Sequence, residues 1–193
     1  MKLVILASGR GSNARAVMEA VENKTLEGAE VSALISDNPD APALGIAKEF
    51  GIKALYIDPM RKGARFTEES ARRYIDAIAA ENPDLVVLAG FMRILPENFV
   101  RAFDGKTINL HPSLLPAYKG KDAIKRAFEA GEKFCGCSVH YISTELDSGE
   151  LIGQSKVEIL PQDTLESLEA KVHEAEHALL VKTIADIAAA KWK

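Results

Sequence analysis

The sequence predicts an α/β fold: one open, mostly parallel twisted sheet with helices on both faces, ending in a carboxyl-terminal antiparallel hairpin and a long helix. Three observations predict it. Short apolar runs alternate with segments of helical spacing up to about residue 130. A Gly-containing turn follows the first apolar run directly and opens a helical pattern, the first unit of a doubly wound sheet. Late in the chain two strand-like runs flank the turn-rich residues 143–149, and a helical pattern follows them.

The first run, residues 3–6, passes into Ser8-Gly-Arg-Gly-Ser-Asn13, and Ala14, Val17, Met18 and Val21 then recur at helical spacing. Backbone N–H groups at such a helix start bind phosphate, and Gly lets the anion approach. The loop lacks the third Gly of a dinucleotide fingerprint and the Lys of a P-loop, so a simple phosphate site is expected, the alternative being an ordinary tight βα turn. Residues 30–36 read as the second strand, residues 37–40 as a turn, and residues 42–50 as a helix ended by Gly51. Residues 54–57 form the third strand. The loop 58–66 carries Arg61, Lys62 and Arg65. Thr67, Glu68 and Glu69 open a helix to about Glu81 with Tyr74, Ile75 and Ile78 on its apolar face, and Asn82-Pro-Asp breaks it.

Residues 85–88 are the most apolar run and belong at the sheet's centre. Residues 89–95 leave its carboxyl end. Exposed Phe91, Met92, Ile94 and Leu95 beside Arg93 would suit a flat apolar ligand with anionic groups, while spacing alone favours reading them as core. A short helix through Phe99 and Val100 precedes the strand at 107–111. There Asn109 and His111 point to one side and Ile108 and Leu110 to the other, and Pro112 ends the ladder. His111 is thus expected at the carboxyl end of a strand, where open α/β sheets place ligands. An amide donor beside a titratable imidazole suits stabilisation and protonation of an oxyanion; the alternative is a capping Asn and a structural His. Residues 122–130 form a helix ended by Gly131. Residues 138–142 and 151–160, the latter broken by Gly153, form an edge hairpin with Asp147 at its tip. Pro161 and Thr164 open the last helix, with Leu165, Leu168, Val172, Ala175 and Leu179 inward.

The 193 residues, 47% hydrophobic and 27% charged, fit one domain over 1–193. A formal net charge of −4 argues against a nucleic-acid partner bound by broad phosphate neutralisation, while small anionic substrates stay open. No run is long enough to span a bilayer, and the Gly-rich turn comes too early for a signal peptide. Cys135 and Cys137 lack zinc spacing and make a poor disulfide pair, so two reduced thiols and a cytoplasmic location are expected. His173-Glu-Ala-Glu-His177 satisfies H-E-x-x-H, but no Glu or His follows to supply a third ligand, and no metal is expected.

These segments together resemble the folate-dependent glycinamide ribonucleotide transformylases of purine synthesis. Gly9-Arg-Gly-Ser-Asn13 resembles their phosphate loop, Leu88-Ala-Gly-Phe-Met-Arg-Ile-Leu95 their folate-pocket segment, and Asn109-Leu-His-Pro-Ser-Leu-Leu-Pro116 the catalytic signature of formyl transferases. Residues 136–140 and Asp147-Ser-Gly149 complete the set, and Ser138 stands where Thr is usual. The resemblance runs end to end and implies a Rossmann-like formyltransferase domain. It implies catalysis by Asn109, His111 and Asp147, and ribonucleotide binding by Gly11, Ser12, Asn13 and Glu176. Folate would bind Arg65 (or Arg61), Met92, Arg93, Ile94, Leu95 and Asn109. The co-substrate would be 10-formyltetrahydrofolate, the acceptor glycinamide ribonucleotide, and the protein a monomer or homodimer with no metal. Two other functions use parts of this apparatus: hydrolysis of formyltetrahydrofolate, and non-catalytic nucleotide binding by a regulator. Transfer to aminoacyl-tRNA would want a basic carboxyl-terminal domain.

Overall fold

The computed structural model describes residues 1–60 and 63–191. Its elements run β1 (Lys2–Leu6), α1 (Ser12–Glu22), β2 (Glu30–Ser36), α2 (Pro42–Glu49), β3 (Lys53–Tyr56), α3 (Glu68–Ala80), β4 (Leu85–Leu88), α4 (Glu97–Ala102), β5 (Thr107–His111), α5 (Ala123–Glu129), β6 (Phe134–Tyr141), β7 (Leu151–Glu158) and α6 (Leu165–Lys191). The seven strands lie in the order β3-β2-β1-β4-β5-β6-β7. The chain divides into two compact units, Met1–Asn109 and Leu110–Lys193, so β5 closes the first and opens the second.

In the first unit every pairing is parallel: β1 with β2 and β4, β2 with β3, and β4 with β5. Val4, Ile5 and Leu6 in β1 and all of β4 are buried on both faces, as near-continuous apolar runs in a parallel sheet require. Pro42 starts α2 at its first position, where its missing N–H has no partner to lose. Thr67 caps α3, its hydroxyl accepting from Ser70 N at 3.1 Å. On α1 the inward residues are Ala14, Val17, Met18 and Ala20, so Ala20 takes the place expected for Val21.

The second unit carries the antiparallel pair β6–β7, packed against α6. Three features here bear on expectation: the start of β6, the course of β7 at Gly153 and the buried face of α6. Strand β6 begins at Phe134, because Phe134 and Cys135 pair with Glu158 and Val157 across the hairpin. Strand β7 continues through Gly153, but its ladder slips there, Gly153 pairing with Val139 and Leu151 with His140, so the expected interruption is a shift of register rather than an end. A Cβ there would lie 3.3 Å from Leu179 Cδ1, so this Gly lets α6 lie close against the strand. On α6 the buried row is Leu168, Val172, Glu176, Leu180 and Ile184, with Thr183 beside it. Leu165, Ala175 and Leu179 are only half-buried. An apolar-only stripe steers away from the position where Glu176 goes inward.

Candidate active site

In the first unit two loops leave the carboxyl ends of β1 and β4. The β1 loop turns through Gly11, which sits left-handed (φ 79°) as the N-cap of α1 and supplies no side-chain cap. Its carbonyl accepts from Arg15 N at 2.8 Å, which starts the helix with its first amides at the loop. Ser12 and Asn13, half-buried, form the first turn. Ser8 joins this loop to the β4 loop: its N–H donates to Gly90 O at 3.1 Å and its Oγ accepts from Met92 N at 2.8 Å.

The segment 91–95 divides its residues. Phe91 is core, stacked with Phe66 (5.9 Å between centroids) and Tyr74 (6.0 Å). That agrees with the core reading that spacing favours for this segment: the aromatic ring packs against two other rings. Met92 is 61% exposed. Ile94 and Leu95 are half-buried. The Arg93 guanidinium turns inward: Nε donates to Asp37 Oδ2 at 2.5 Å, and Nη1 to the Gly63 carbonyl. Ile94 also pairs with the basic loop, its N–H donating to Ala64 O at 2.7 Å and its carbonyl accepting from Phe66 N at 3.2 Å. Exposed Arg65 is therefore carried on backbone anchored to this segment. Arg61 and Lys62 lie outside the described residues. Burial first, and the Asp37 carboxylate next, push the Tyr74 phenol well above its ordinary value. Asn109 ends the unit, half-buried and in register with Leu88.

In the second unit the structure brings His111 and Asp147 together from opposite ends of a long stretch of chain. Both are buried, at 6% and 8% exposure, with Nδ1 of His111 3.4 Å from Asp147 Oδ2. That separation exceeds a tight charge-assisted hydrogen bond, and it suits an ion pair that leaves the Nδ1 edge for a water or substrate oxygen. Nε2 of His111 lies 3.1 Å from Tyr118 O, and Asp147 Oδ2 accepts from Gly120 N at 2.9 Å. A second imidazole faces the same carboxylate: His140 Nε2 is 3.8 Å from Asp147 Oδ1, while its Nδ1 is 2.7 Å from Tyr141 O. Burial lowers the His140 pKa, with the Asp147 charge opposing the shift, so this ring is neutral near pH 7. Ser138 Oγ donates to Ser113 O at 2.6 Å and accepts from Leu115 N at 3.1 Å, so a hydroxyl there clamps the loop after His111. Sequence reasoning missed Tyr118, Gly120 and His140. Two of the three act through backbone atoms, which carry no side-chain signature.

Glu176 is 4% exposed on α6 and accepts from His173 Nδ1 at 2.8 Å. The H-E-x-x-H pattern thus makes a His–Glu pair on one helix, and no metal-holding cluster occurs among the described residues. The neighbouring Cys137 thiol is pushed up to about 12, by burial first and the Glu176 charge next. Both cysteines are free and buried. No described helix is long and apolar enough to cross a membrane.

Residues 1–184 match the family described as formyl transferase. The chain is 36% identical over 176 residues to the phosphoribosylglycinamide formyltransferase of Bacillus subtilis, covering 91% of this chain and 89% of that one. With the Escherichia coli protein of the same name the identity is 39% over 179 residues, covering 93% and 83%. The crystal structure of phosphoribosylglycinamide formyltransferase from Anaplasma phagocytophilum superposes with a TM-score of 0.90 at 39% identity, over 99% of this chain and 88% of that one.

Proposed function

The chain belongs to the formyl transferase family, and on that footing we propose that it moves a formyl group from 10-formyltetrahydrofolate to the amine of N1-(5-phospho-D-ribosyl)glycinamide in purine biosynthesis. The observation that carries the chemistry is the buried His111–Asp147 pair, one strand turn beyond Asn109 on β5.

Attack of the amine on the formyl carbon builds charge on the formyl oxygen. The Asn109 amide and the protonated His111 ring stabilise that oxygen, each as a fixed donor. Once the ring has passed its Nδ1 proton to that oxygen, His111 takes up at Nδ1, through an intervening water, the proton that leaves the amine. Asp147 pairs with the ring and orients the water. Gly11, Ser12 and Asn13 hold the phosphate at the uncapped start of α1. Glu176 takes the amine end of the acceptor. Arg65, Met92, Arg93, Ile94 and Leu95, with Asn109, hold the folate. Arg93 does so by fixing the backbone of its segment, since its guanidinium is committed to Asp37. Charged His111 and the Asn109 amide supply the electrophilic role that a metal fills elsewhere. We propose that residues 1–193 act as one catalytic domain.

The test offers 10-formyltetrahydrofolate to the protein with and without the ribonucleotide and follows folate release. Release only with the acceptor is expected. Equal release without it would make the protein a hydrolase, and none in either case would make it a binding protein.

A further inference from the structure

We propose that Arg126 is a positioning residue for this reaction: by gripping the Tyr118 and Lys119 carbonyls it fixes the ring proton of His111 on Nε2 and leaves Nδ1 as the working nitrogen. The inference rests on the reading of His111 as proton carrier.

The chain between β5 and α5 winds through three left-handed residues, Tyr118 (φ 54°), Gly120 (φ 80°) and Asp122 (φ 55°). Two of these carry side chains, for which that conformation is strained, so something must hold the loop in place. The winding aims the Tyr118 carbonyl at His111 Nε2 (3.1 Å) and the Gly120 N–H at Asp147 Oδ2 (2.9 Å). One short loop therefore touches both members of the pair. A carbonyl oxygen only accepts, so Nε2 must donate. In the ion pair the Nδ1 proton faces the Asp147 carboxylate, 3.4 Å away; when the ring gives that proton up, the one that remains is held on Nε2 by the carbonyl, so Nδ1 is the nitrogen that works.

Arg126, in the last turn of the short helix α5, holds this loop. Its Nη2 donates to Tyr118 O at 2.9 Å and to Lys119 O at 2.6 Å, and its guanidinium lies 5.7 Å from the centre of the Tyr118 ring. The Tyr118 hydroxyl donates to Glu132 at 2.7 Å, pinning the far end of the same residue. The carbonyl that receives His111 Nε2–H is thus the carbonyl that Arg126 grips. An exposed Arg on a short helix ordinarily serves solubility; here its fork meets two successive carbonyls.

The experiment is 15N NMR of the imidazoles in the substrate-free protein, alongside steady-state kinetics, for wild type, Arg126→Ala and Arg126→Lys. The wild type should show neutral His111 as the Nε2–H tautomer with a slowly exchanging ring proton. In R126A the tautomers should mix and the proton should exchange fast. Its kcat should fall roughly tenfold, as for a small misplacement of a catalytic group, with both KM values within about twofold. R126K, which can still donate to a carbonyl, should recover most of the tautomer bias and most of kcat. Retention of the Nε2–H tautomer in R126A, or a kcat loss with the tautomer unchanged, overturns the proposal. Should R126A fail to fold, Arg126→Met keeps the stem over Tyr118 without the donors and gives the same readout. The NMR arm uses no substrate, so it fails or holds apart from the formyl-transfer reading, which stands on wild-type turnover.

Discussion

Replacing Gly11 by Ala puts the loop between β1 and α1 under a strain whose size follows from its surroundings. Gly11 is left-handed at φ 79°, and a Cβ there would lie 2.7 Å from Ala43 Cβ and 2.8 Å from Ala43 Cα. A side chain in the left-handed region costs roughly 1–2 kcal/mol. The neighbours belong to helix α2 and cannot swing aside, so overpacking adds roughly 1–3 kcal/mol. If the loop holds its shape, G11A loses about 2–5 kcal/mol of stability by these two terms together. If the loop instead retreats from α2, the cost appears as a raised KM for the ribonucleotide with little change in folate KM, since only one substrate loses binding. Urea denaturation and steady-state kinetics with each substrate varied read both routes. Gly9→Ala is the internal control: no atom lies within 4 Å of its Cβ and its φ is ordinary, so it should stay within about 0.5 kcal/mol of wild type. G11A with wild-type stability and wild-type ribonucleotide KM would refute the reasoning, as would a G9A as damaging as G11A.

Asp147→Asn should fold normally, bind both substrates and lose most of kcat. The Asp147 charge props up the His140 pKa against burial, so the already lowered pKa of His140 should drop further in this variant; a rise in an NMR titration would show that the two do not interact. His111→Ala and Asn109→Ala should each lower kcat by about a hundredfold, as loss of one oxyanion donor does, and the double variant should be less than additive. Near-wild-type turnover in His111→Ala would return that residue to a structural role. Burial holds the Cys135 thiol up at about 11 and the Cys137 thiol at about 12, so the native protein at pH 8 should be inert to a thiol reagent and should release both thiols only on unfolding. A fast-reacting thiol in the native state would contradict that burial.

Much of the first unit was legible because its signals are local. The apolar run of β4, the Pro at the start of α2, the Thr67 cap and the Gly11 turn each act within a few residues, which is the range of backbone sterics and first-turn hydrogen bonds. Asn109 and His111 were legible as a pair because strand alternation puts them on one side regardless of what packs around them. What the sequence could not settle depends on partners distant along the chain. The start of β6 was decided by pairing with β7, where Phe134 and Cys135 face Glu158 and Val157. Phe91 was ambiguous between pocket and core until Phe66 and Tyr74 closed around it. Glu176 was placed inward on α6 against the apolar pattern, because the burial of a helix face is set by what it packs on. The 3.4 Å approach of Asp147 to His111, and the grip of Arg126 on the Tyr118 carbonyl, arise from loop closure and backbone winding. Residue identity encodes side chains and short-range torsions, whereas backbone carbonyls and N–H groups are the same at nearly every position, so only the folded chain shows which of them meet the His111 ring.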